Sequence, residues 1–430
     1  MAVEAPGGIG AAAAAIDATG QHIFPGIIDT HVHTRHPGVP EREDFQSGTA
    51  AAAAGGITTL FEMPISKLPV NSGEALARRA ALLQPTAHID YALYGGAGHE
   101  NLADIAAQAE AGAIAFKTFL QPPPPTRLDE FFGLWCTDEV RLRDVMSAVR
   151  STGRRHCFHC EHTATFEALQ AELVAAGDIT GKAHARSRPP GVEELSVAIV
   201  LALAEDLGAR VQVVHCSSPR AARMARDARW RGVDVTVETC PPYLFFTDEA
   251  LDRLGPFAKC NPPLRGEREV TGLRQCLRDG LIDMVGTDHS PFLDADKAPG
   301  AANIFLAPPG LAGLEVLVPL MLTAAHHGWI TLEGVAALCA ENAARVFDLP
   351  RKGRLQAGAD ADLTIVDLAT SWRYDSASAI TKSRANMRIY DGLELHGRVV
   401  STIVRGAVVF RDGVVTGAPG HGQFVRPART

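Results

Sequence analysis

The fold of this chain is decided by Ile27-Ile28-Asp29-Thr30-His31-Val32-His33. An apolar run leads into two histidines two positions apart, and Pro25-Gly26 before it marks the start of a new element. Because alternate side chains of a β-strand share one face, His31 and His33 point in the same direction. Neutral imidazole is a ligand for Zn, Fe, Ni and Cu, so such a strand can begin a metal site. A strand that merely ends in two histidines fits this stretch equally well, and the rest of the sequence has to decide.

Short β-rich runs recur from this stretch onwards, and helical patterns separate them. The runs cover residues 27–33, 58–64, 90–96, 115–120, 156–161, 211–217, 233–240 and 283–290. The helical patterns include residues 43–54, 73–83, 102–111, 138–152 and 219–231, and two more are expected at 311–326 and 332–347. This alternation of strands with helices predicts an α/β fold, namely a parallel (β/α)8 TIM barrel.

The pattern changes near Gly353. Residues 361–367 and 399–409 are β-rich and are separated by turns, without a long helical pattern. We therefore expect a barrel over residues 25–348 and a small appended β domain over residues 349–430. Residues 1–24 are expected to form a poorly ordered start followed by one short strand.

The composition of the 430 residues, 46% hydrophobic and 21% charged, is typical of a soluble globular protein. A net charge of −8 predicts no nucleic-acid partner, and the lack of about 18 consecutive uncharged apolar residues predicts no membrane span. The first Lys or Arg is Arg35, so the basic start of a secretory signal is missing. Eight cysteines in so long a chain do not indicate a disulfide framework, and we expect a cytoplasmic protein with reduced thiols.

Metal-binding side chains stand at the ends of several predicted strands. Functional groups of a barrel lie at the C-terminal ends of its strands, so these side chains are expected to converge on one mouth. They are His31 and His33 on the first strand, Lys117 on the fourth, His159 and Glu161 on the fifth, His215 on the sixth, and Asp288-His289 on the eighth. A metal centre explains this set better than a series of unrelated structural histidines.

Lys117 needs a separate explanation, because an ammonium group repels a cation. Burial near positive charge lowers the pKa of a lysine. The neutral amine can then add carbon dioxide, and the resulting carbamate is an anionic carboxylate mimic that can bridge two metals about 3.5–4 Å apart. Alternatively, Lys117 caps the barrel or pairs with Glu161.

These residues lie within motifs that resemble the amidohydrolase superfamily, and within it the cyclic-amide hydrolases: allantoinase, hydantoinase and dihydroorotase. The resemblance runs from about Ile16 to the C-terminus. The motifs are Pro-Gly-Ile-Ile-Asp-Thr-His-Val-His (25–33), Ala-Phe-Lys-Thr-Phe (115–119), His-Cys-Glu (159–161), Ser-Arg-Pro-Pro (187–190), Val-His-Cys-Ser-Ser (214–218), Glu-Thr-Cys-Pro-Pro-Tyr-Leu (238–244), Lys-Cys-Asn-Pro-Pro-Leu-Arg (259–265), Gly-Thr-Asp-His-Ser-Pro (286–291) and Ala-Asp-Ala-Asp-Leu (359–363).

The resemblance implies a dinuclear metal-dependent hydrolase that opens the C–N bond of a cyclic amide or ureide. It assigns His31, His33 and Asp288 to the first metal, His159 and His215 to the second, and N6-carboxylated Lys117 to both. Zinc is expected, and Co, Mn, Fe or Ni suits the same ligands. The fifth-strand pattern favours His159 over the competing His162.

The resemblance also implies roles toward the substrate. Asp288 takes a proton from the attacking water and delivers it to the leaving nitrogen. Asn261 is expected to contact the substrate. His289 is expected to orient Asp288 or to contact the substrate rather than to bind metal. Strand alternation places Arg35 on the ligand face, where a dihydroorotase-like arginine binds a substrate carboxylate. Alternatively, Arg35 pairs within its own loop with Glu41, Glu43 or Asp44.

Several questions stay open at this point. The motifs favour an allantoinase-like activity, with a dihydroorotase, a hydantoinase or cyclic imide hydrolase, and a non-catalytic scaffold relative as alternatives. Members of this group carry several β-domain strands before the Pro-Gly-Ile-Ile-Asp segment, whereas only 24 residues precede Pro25 here. Residues 1–24 are therefore expected to be the residual segment of an N-terminally truncated β domain. A homodimer or homotetramer is expected.

Overall fold

Short buried strands form the wall of a parallel barrel in the computed structural model, which describes residues 15–428. The strands are β2 (Ile27–Val32), β3 (Ile57–Glu62), β4 (Asp90–Leu93), β5 (Gly95–Gly96), β6 (Phe116–Phe119), β7 (His156–His159), β8 (Val211–Val213), β9 (Val235–Thr239) and β10 (Met284–Val285). Strands covered on both faces need nearly continuous apolar runs, which the sequence supplies. Because each predicted run contains an observed strand, with β4 and β5 sharing residues 90–96, the predicted barrel is confirmed.

The barrel closes at two seams between its hydrogen-bonded arcs, β2–β4 and β5–β10. At one seam, the amide of Tyr94 donates to the carbonyl of Glu62 at 3.0 Å, and that of Gly95 donates to Ala115 at 2.9 Å. At the other seam, the amide of His33 donates to the carbonyl of His289 at 2.8 Å. The second seam therefore joins the strand ends that carry the predicted metal ligands.

Helices surround the wall, and several start at a side-chain N-cap, such as Asp44, Ser72, Asp138 and Ser218. The helices are α1 (Phe45–Ala54), α2 (Gly73–Leu83), α3 (Ile105–Ala111), α4 (Glu139–Ser151), α5 (Thr163–Ala175), α6 (Gly181–Ser187), α7 (Pro190–Leu207), α8 (Pro219–Trp230), α9 (Pro241–Phe245), α10 (Glu249–Leu254), α11 (Glu267–Arg278), α12 (Asp294–Lys297), α13 (Leu317–His326), α14 (Leu332–Ala336) and α15 (Asn342–Val346). A π-helical turn, Ala337–Glu341, connects the last two. No helix within residues 15–428 is long and apolar enough to cross a membrane.

The helix predicted over residues 311–326 is wrong at its start, because α13 begins only at Leu317. The carbonyl of Leu311 accepts a hydrogen bond from the amide of Ser290 at 2.7 Å, and Ala312 donates to Asn386 at 3.4 Å. These bonds extend the chain beside the end of the eighth strand. Residues 311–312 therefore serve sheet-like pairing at the barrel mouth, where a helix would lose those partners.

An antiparallel sheet forms the appended β domain, in the order β1-β11-β12-β13-β14. Its strands are β1 (His22–Pro25), β11 (Leu363–Arg373), β12 (Glu394–Val404), β13 (Ala407–Arg411) and β14 (Val414–Val415). Because β1 pairs with β11, the short strand expected in the N-terminal segment belongs to this sheet. The poorly ordered start expected before it falls largely on residues 1–14, which lie outside the described residues.

Two other parts of residues 349–430 lie against the barrel rather than in the sheet. In the loop 374–393, the hydroxyl of Thr381 donates to Glu43, and the amide of Ile380 donates to Glu315 at 2.9 Å. In the C-terminal tail, the amides of Gly420 and Gly422 donate to the carbonyl of Ala87 at 3.0 and 2.9 Å. The β domain is thus tied to the barrel both at its mouth and beside β4.

A buried cluster of charges fixes the opposite end of the barrel to the sheet. Lys352 donates to Asp90 and, at 2.6 Å, to Asp362, and its ammonium lies 3.1 Å from Asp360. Arg405 donates to the second oxygen of Asp90. Lys352, Asp90 and Asp362 are nearly inaccessible to solvent. The carboxylates depend on these cations, because an unpaired buried charge is strongly destabilising.

Replacing Lys352 tests this dependence. Lys352→Met leaves buried carboxylates without their ammonium partner, and we expect the free energy of unfolding to fall by about 3–5 kcal/mol in a urea titration. The matched control is Arg351→Met, which removes an exposed partner of the neighbouring Asp360 and should leave the unfolding midpoint unchanged. Equal midpoints for the two variants would contradict the role given to Lys352.

Candidate metal centre

The first group of predicted ligands meets where the barrel closes. The Nε2 atoms of His31 and His33 each lie 3.3 Å from Oδ1 of Asp288. The two imidazole rings are 5.2 Å apart between centroids and tilted by 48°. One ligand atom from each of the three side chains lies within 4.8 Å of the others, a spacing at which the three could hold a metal ion.

The second group lies beside the first. Nδ1 of His159 is 2.9 Å from Nε2 of His215, and their ring centroids are 4.6 Å apart. The ring of His215 lies 5.2 Å from that of His31. The structure therefore brings these predicted ligands, from the first, fifth, sixth and eighth strands, into one continuous cluster.

Buried polar atoms without a protein partner mark the centre of this cluster. Among the described residues, they include Nε2 of His31 and Nζ of Lys117. The unpartnered Nδ1 atoms of His33 and His215 point the other way from the Nε2 atoms of the same rings, which meet Asp288 and His159. Buried polar atoms normally have hydrogen-bond partners, so a group of such atoms facing one space calls for a ligand. Imidazole nitrogens with a carboxylate are donors that divalent transition metals accept, so the residues fit metal ions.

Lys117 lies on β6 and is completely buried. Its ammonium is 4.9 Å from the centroid of the Phe119 ring and has no hydrogen-bond partner among residues 15–428. Burial lowers the pKa of Lys117 to about 8, although Asp288 and Glu238 favour its charged form. The alternative pairing with Glu161 is not formed, because that carboxylate bonds to His159 and Arg188. A neutral Lys117 amine is therefore accessible near neutral pH.

Glu238 on β9 contacts His31 of the first group on the side of the ring that faces away from Asp288. Its Oε1 lies 2.8 Å from Nδ1 of His31, while its Oε2 accepts a hydrogen bond from the hydroxyl of Thr30 at 2.6 Å. Gln212 on β8 donates to Oε2 at 3.2 Å. A carboxylate on one ring nitrogen orients the imidazole and leaves the other nitrogen for a metal. Nε2 of His31, which faces Asp288, is that other nitrogen.

Glu161 supports the second group in a similar way. Its Oε2 lies 2.8 Å from Nε2 of His159 and 2.8 Å from Nη1 of Arg188. Burial alone would raise the pKa of Glu161, but Arg188 and His159 hold it at about 2. The guanidinium of Arg188 also lies 3.7 Å above the ring of Phe166. An ionised carboxylate thus orients His159 next to the centre.

Sequence reasoning assigned no role to Glu238, Arg188 or Arg265, although each lies in a motif quoted above. Arg265 donates to the hydroxyl of Ser217 at 2.9 Å and to Glu193 at 3.1 Å, beside the strand that carries His215. The sequence feature that could have identified these three residues is a charged side chain within a segment whose other residues are mostly apolar. A buried charged residue needs a polar or charged partner. Here Glu238 contacts His31 directly, and Arg188 contacts the Glu161 carboxylate that orients His159.

Arg35 was expected on the ligand face by strand alternation, and in the structure it lies three residues beyond the end of that strand. The strand β2 ends at Val32, and Arg35 has a φ of 57°, because its amide donates to Glu62 at 3.0 Å. Its Nη2 donates to the hydroxyl of Ser290 at 2.6 Å, and its guanidinium lies 4.5 Å from the centroid of the Phe292 ring. Buried Nε and Nη1 have no partner in the described part of the chain.

The expected loop pairing of Arg35 is also not formed among residues 15–428. Of the acidic residues proposed for it, Glu43 bonds to Ser47 and Thr381, and Asp44 bonds to Lys382. The guanidinium of Arg35 therefore keeps two buried donors beside the mouth of the barrel. Its role toward a substrate stays a prediction.

The structure gives different surroundings to the three remaining residues considered in the sequence analysis, Asn261, His289 and His162. Oδ1 of Asn261 is buried without a partner among the described residues, so it is free to accept a hydrogen bond. His289 is fully buried: its Nδ1 accepts from the amide of Gly313 at 3.2 Å, and its Nε2 faces Glu43 at 3.6 Å. The substrate contacts of Asn261 and His289 stay predictions. His162 bonds to Thr165 at 2.8 Å, outside the cluster.

The support of His31 by Glu238 is open to a direct test. Glu238→Gln removes the negative charge and half of the acceptor capacity that Thr30, His31 and Gln212 share, so we expect affinity for divalent metal to fall about 10–100-fold. Zinc titration against a competing chromophoric chelator measures this loss. Glu205→Gln, which alters an exposed pair with Arg231, is the control. A wild-type affinity in Glu238→Gln would contradict the assignment.

Comparisons with known proteins agree with this geometry. Residues 22–409 match the amidohydrolase family. An allantoinase of Deinococcus radiodurans is 36% identical over 418 residues, which are 97% of this chain and 90% of the relative. An L-hydantoinase of Paenarthrobacter aurescens is 34% identical and covers 95% of this chain and 88% of its own length.

A solved structure agrees over a similar range. The L-hydantoinase (dihydropyrimidinase) from Arthrobacter aurescens superposes with a TM-score of 0.91 at 33% identity. The match covers 96% of this chain and 90% of that one. The family match spans the barrel and most of the sheet, and the ligand cluster lies at the barrel mouth. This chain belongs to the amidohydrolase family.

Proposed function

We propose that the chain hydrolyses a ring C–N bond of a cyclic amide or ureide, with an allantoin-like ureide as the favoured substrate. The observation that carries this proposal is the buried cluster of imidazole nitrogens and a carboxylate at the barrel mouth. The similarity to allantoinases and an L-hydantoinase over nearly the whole chain supports the same reaction class.

The proposed metal ligands fall into two sets. His31, His33 and Asp288 would hold one divalent cation, and His159 and His215 would hold a second. N6-carboxylated Lys117 would contribute to both sets. When bound, the two cations, zinc or alternatively Co, Mn, Fe or Ni, activate water for attack and polarise the ring carbonyl. The contacts of His31 and His33 with Asp288, the contact of His159 with His215, and the buried, unpartnered Nζ of Lys117 support the assignment.

Asp288 is the proposed proton carrier. Burial opposes its ionisation, yet His31 and His33 hold the pKa of Asp288 at about 2, so the carboxylate is charged at neutral pH. It takes the proton of the attacking water and gives it to the ring nitrogen when the C–N bond breaks. Its backbone has a φ of 49°, a conformation that turns the chain at the end of the eighth strand.

Turnover of a small panel tests the proposed reaction. Purified enzyme of measured metal content is assayed with allantoin, dihydroorotate, hydantoin, dihydrouracil and succinimide. We expect the highest kcat/KM for allantoin and a lower value for hydantoin. Preference for another ring would reassign the substrate within the class. Protein that binds two metals and turns over none of the five would favour the scaffold alternative. The homodimer or homotetramer stays a prediction.

Lys117 is the residue whose removal most directly tests the two-metal assignment. In Lys117→Ala the carbamate is lost, so we expect most of the metal and most of the turnover to be lost, with partial recovery by short carboxylic acids. Metal analysis and initial rates measure this. Lys182→Ala, at a lysine that pairs with Asp252 on the surface, is the control. Full metal content and rate in Lys117→Ala would refute the assignment.

Replacement of Asp288 separates proton transfer from metal binding. Asp288→Asn keeps the shape and one oxygen ligand but loses the ability to accept a proton. The variant should fold and keep part of its metal, and kcat should fall by about 10²–10⁴. Asp294→Asn, at an exposed pair with Arg388, should leave kcat unchanged. If kcat falls less than tenfold, another group transfers the proton.

One observation favours a second candidate, a dihydroorotase-like activity on an anionic ring. Arg35 keeps two buried guanidinium donors without a partner in the described chain. A guanidinium N–H makes a strong charge-assisted hydrogen bond to a carboxylate, and the two free donors of Arg35 lie on different edges of its guanidinium, so each could make one such bond. In contrast, nearby Arg42 is already paired with Asp296 through two bonds of 2.7 Å. Arg35 is thus an arginine at the barrel mouth that could receive a substrate carboxylate.

The two candidates differ in their dependence on this side chain. If Arg35 binds a carboxylate, Arg35→Met should raise KM for dihydroorotate by at least tenfold and leave KM for a neutral ring nearly unchanged. A charge-assisted bond of about 1.5–3 kcal/mol accounts for that loss. Arg42→Met, near the same Phe292 ring, is the control. Equal damage with both substrates would show that Arg35 does not bind a carboxylate and would favour allantoin-like ureides.

A further inference from the structure

Three histidines outside the candidate metal centre meet where the barrel touches the β domain. His326 ends α13, His327 follows it, and His396 lies on β12. The rings of His326 and His396 are stacked, with centroids 3.6 Å apart and planes 8° from parallel. The ring of His327 lies 5.7 Å from His326 and 5.9 Å from His396.

The three ring separations, 3.6, 5.7 and 5.9 Å, lie on either side of those in the candidate metal centre. There, neighbouring imidazole rings lie 4.6–5.2 Å apart between centroids. His326 and His327 are exposed, and His396 is half-buried. Exposed side chains change rotamer on the picosecond to nanosecond timescale. The stack therefore has to open, and a rotamer change of the exposed His326 and His327 would turn their ring nitrogens and that of His396 toward one point.

The backbone that carries the three rings is fixed by Thr323 of α13. Its hydroxyl donates to the carbonyl of Pro319 at 2.7 Å and accepts from the amide of His396 at 2.9 Å. Its carbonyl accepts from the amide of His327 at 3.0 Å. The two elements that bear the histidines are thus held together through one buried residue.

A glycine allows this close approach. Gly397 has a φ of 85°, and a Cβ at this position would lie 2.8 Å from a methyl carbon of Leu322 on α13. A larger residue would push β12 away from the helix. The seam therefore holds His396 against the C-terminal end of α13.

The chemistry around the three rings favours a cation. The hydroxyl of Ser371 lies 2.9 Å from Nδ1 of His396, and such a partner on one ring nitrogen orients the other for a metal. His326 stands at the C-terminus of α13, where the helix dipole favours positive charge. The positively charged guanidinium of Arg274 lies nearby over Trp329. Because this charge repels cations, only a cation with high affinity for imidazole is expected to bind.

We propose that His326, His327 and His396 form a surface site for one divalent transition metal ion of the zinc, nickel and copper class. Ions of this class bind imidazole, whereas Ca²⁺ and Mg²⁺ require oxygen ligands that the three histidines do not offer. The bound ion links the C-terminal end of helix α13 of the barrel to strand β12 of the β domain. It is separate from the hydrolytic centre and does not rest on the proposed function.

Zinc counting tests the proposal on the tag-free, metal-loaded full chain. The enzyme is dialysed to constant zinc content, then equilibrated with rising zinc chloride, and bound zinc is counted by mass spectrometry. We expect one further zinc per chain, together with a rise in the unfolding midpoint. His326→Ala and His396→Ala should lose both effects. His22→Ala, at an exposed histidine on β1, should keep both.

A third variant keeps the test decisive if changes at the seam disturb folding. His327 is exposed, so His327→Ala should fold normally and weaken binding of the further zinc at least tenfold, with wild-type hydrolytic rates. No further zinc in the unaltered chain would overturn the proposal. Undiminished further zinc in His327→Ala or in His326→Ala/His396→Ala would also overturn it.

Discussion

The bond between the Glu238 carboxylate and Nδ1 of His31 is the interaction on which the rest of the centre depends. Both groups are fully buried, so neither has water as an alternative partner. The carboxylate also accepts from Thr30 and Gln212, which lie on β2 and β8. One side chain of β9 therefore satisfies donors from strands on different sides of the barrel and fixes which nitrogen of His31 faces the centre.

Burial gives the centre its chemistry as well as its geometry. Desolvation lowers the pKa of His33 to about 3 and that of His215 well below its usual range. Their rings are therefore neutral at physiological pH, and each offers a lone pair on one nitrogen while the other keeps its proton. The carboxylates of Asp288 and Glu161 are held ionised by neighbouring rings and, for Glu161, by Arg188. Neutral nitrogens beside negative charge make a pocket that attracts cations.

The sequence was sufficient for the barrel and for the convergence of the ligands, and the reason is geometric. Strand ends of a parallel barrel meet at one mouth whatever the loops do, so His31, His159 and His215 could be placed together from their spacing alone. The conformation of the loops, in contrast, depends on hydrogen bonds to residues that are distant in the sequence. The turn at Arg35 depends on an acceptor, Glu62, that comes 27 residues later. The late start of α13 depends on pairing that no local pattern encodes.

The proposed metal ligands and the proposed substrate-contacting residues also differ in whether strands or loops carry them. The proposed metal ligands stand on or directly after strands that the barrel holds rigidly, and such elements place a site more precisely than loops do. Arg35 and Asn261 stand in connecting segments and offer unpartnered groups of opposite kind, guanidinium donors and an amide oxygen acceptor. A cyclic amide carries both complements, a carbonyl oxygen and a ring N–H. Asn261 therefore suits a ring N–H, and Arg35 suits an oxygen of the substrate, including the carboxylate of an anionic ring, as proposed above.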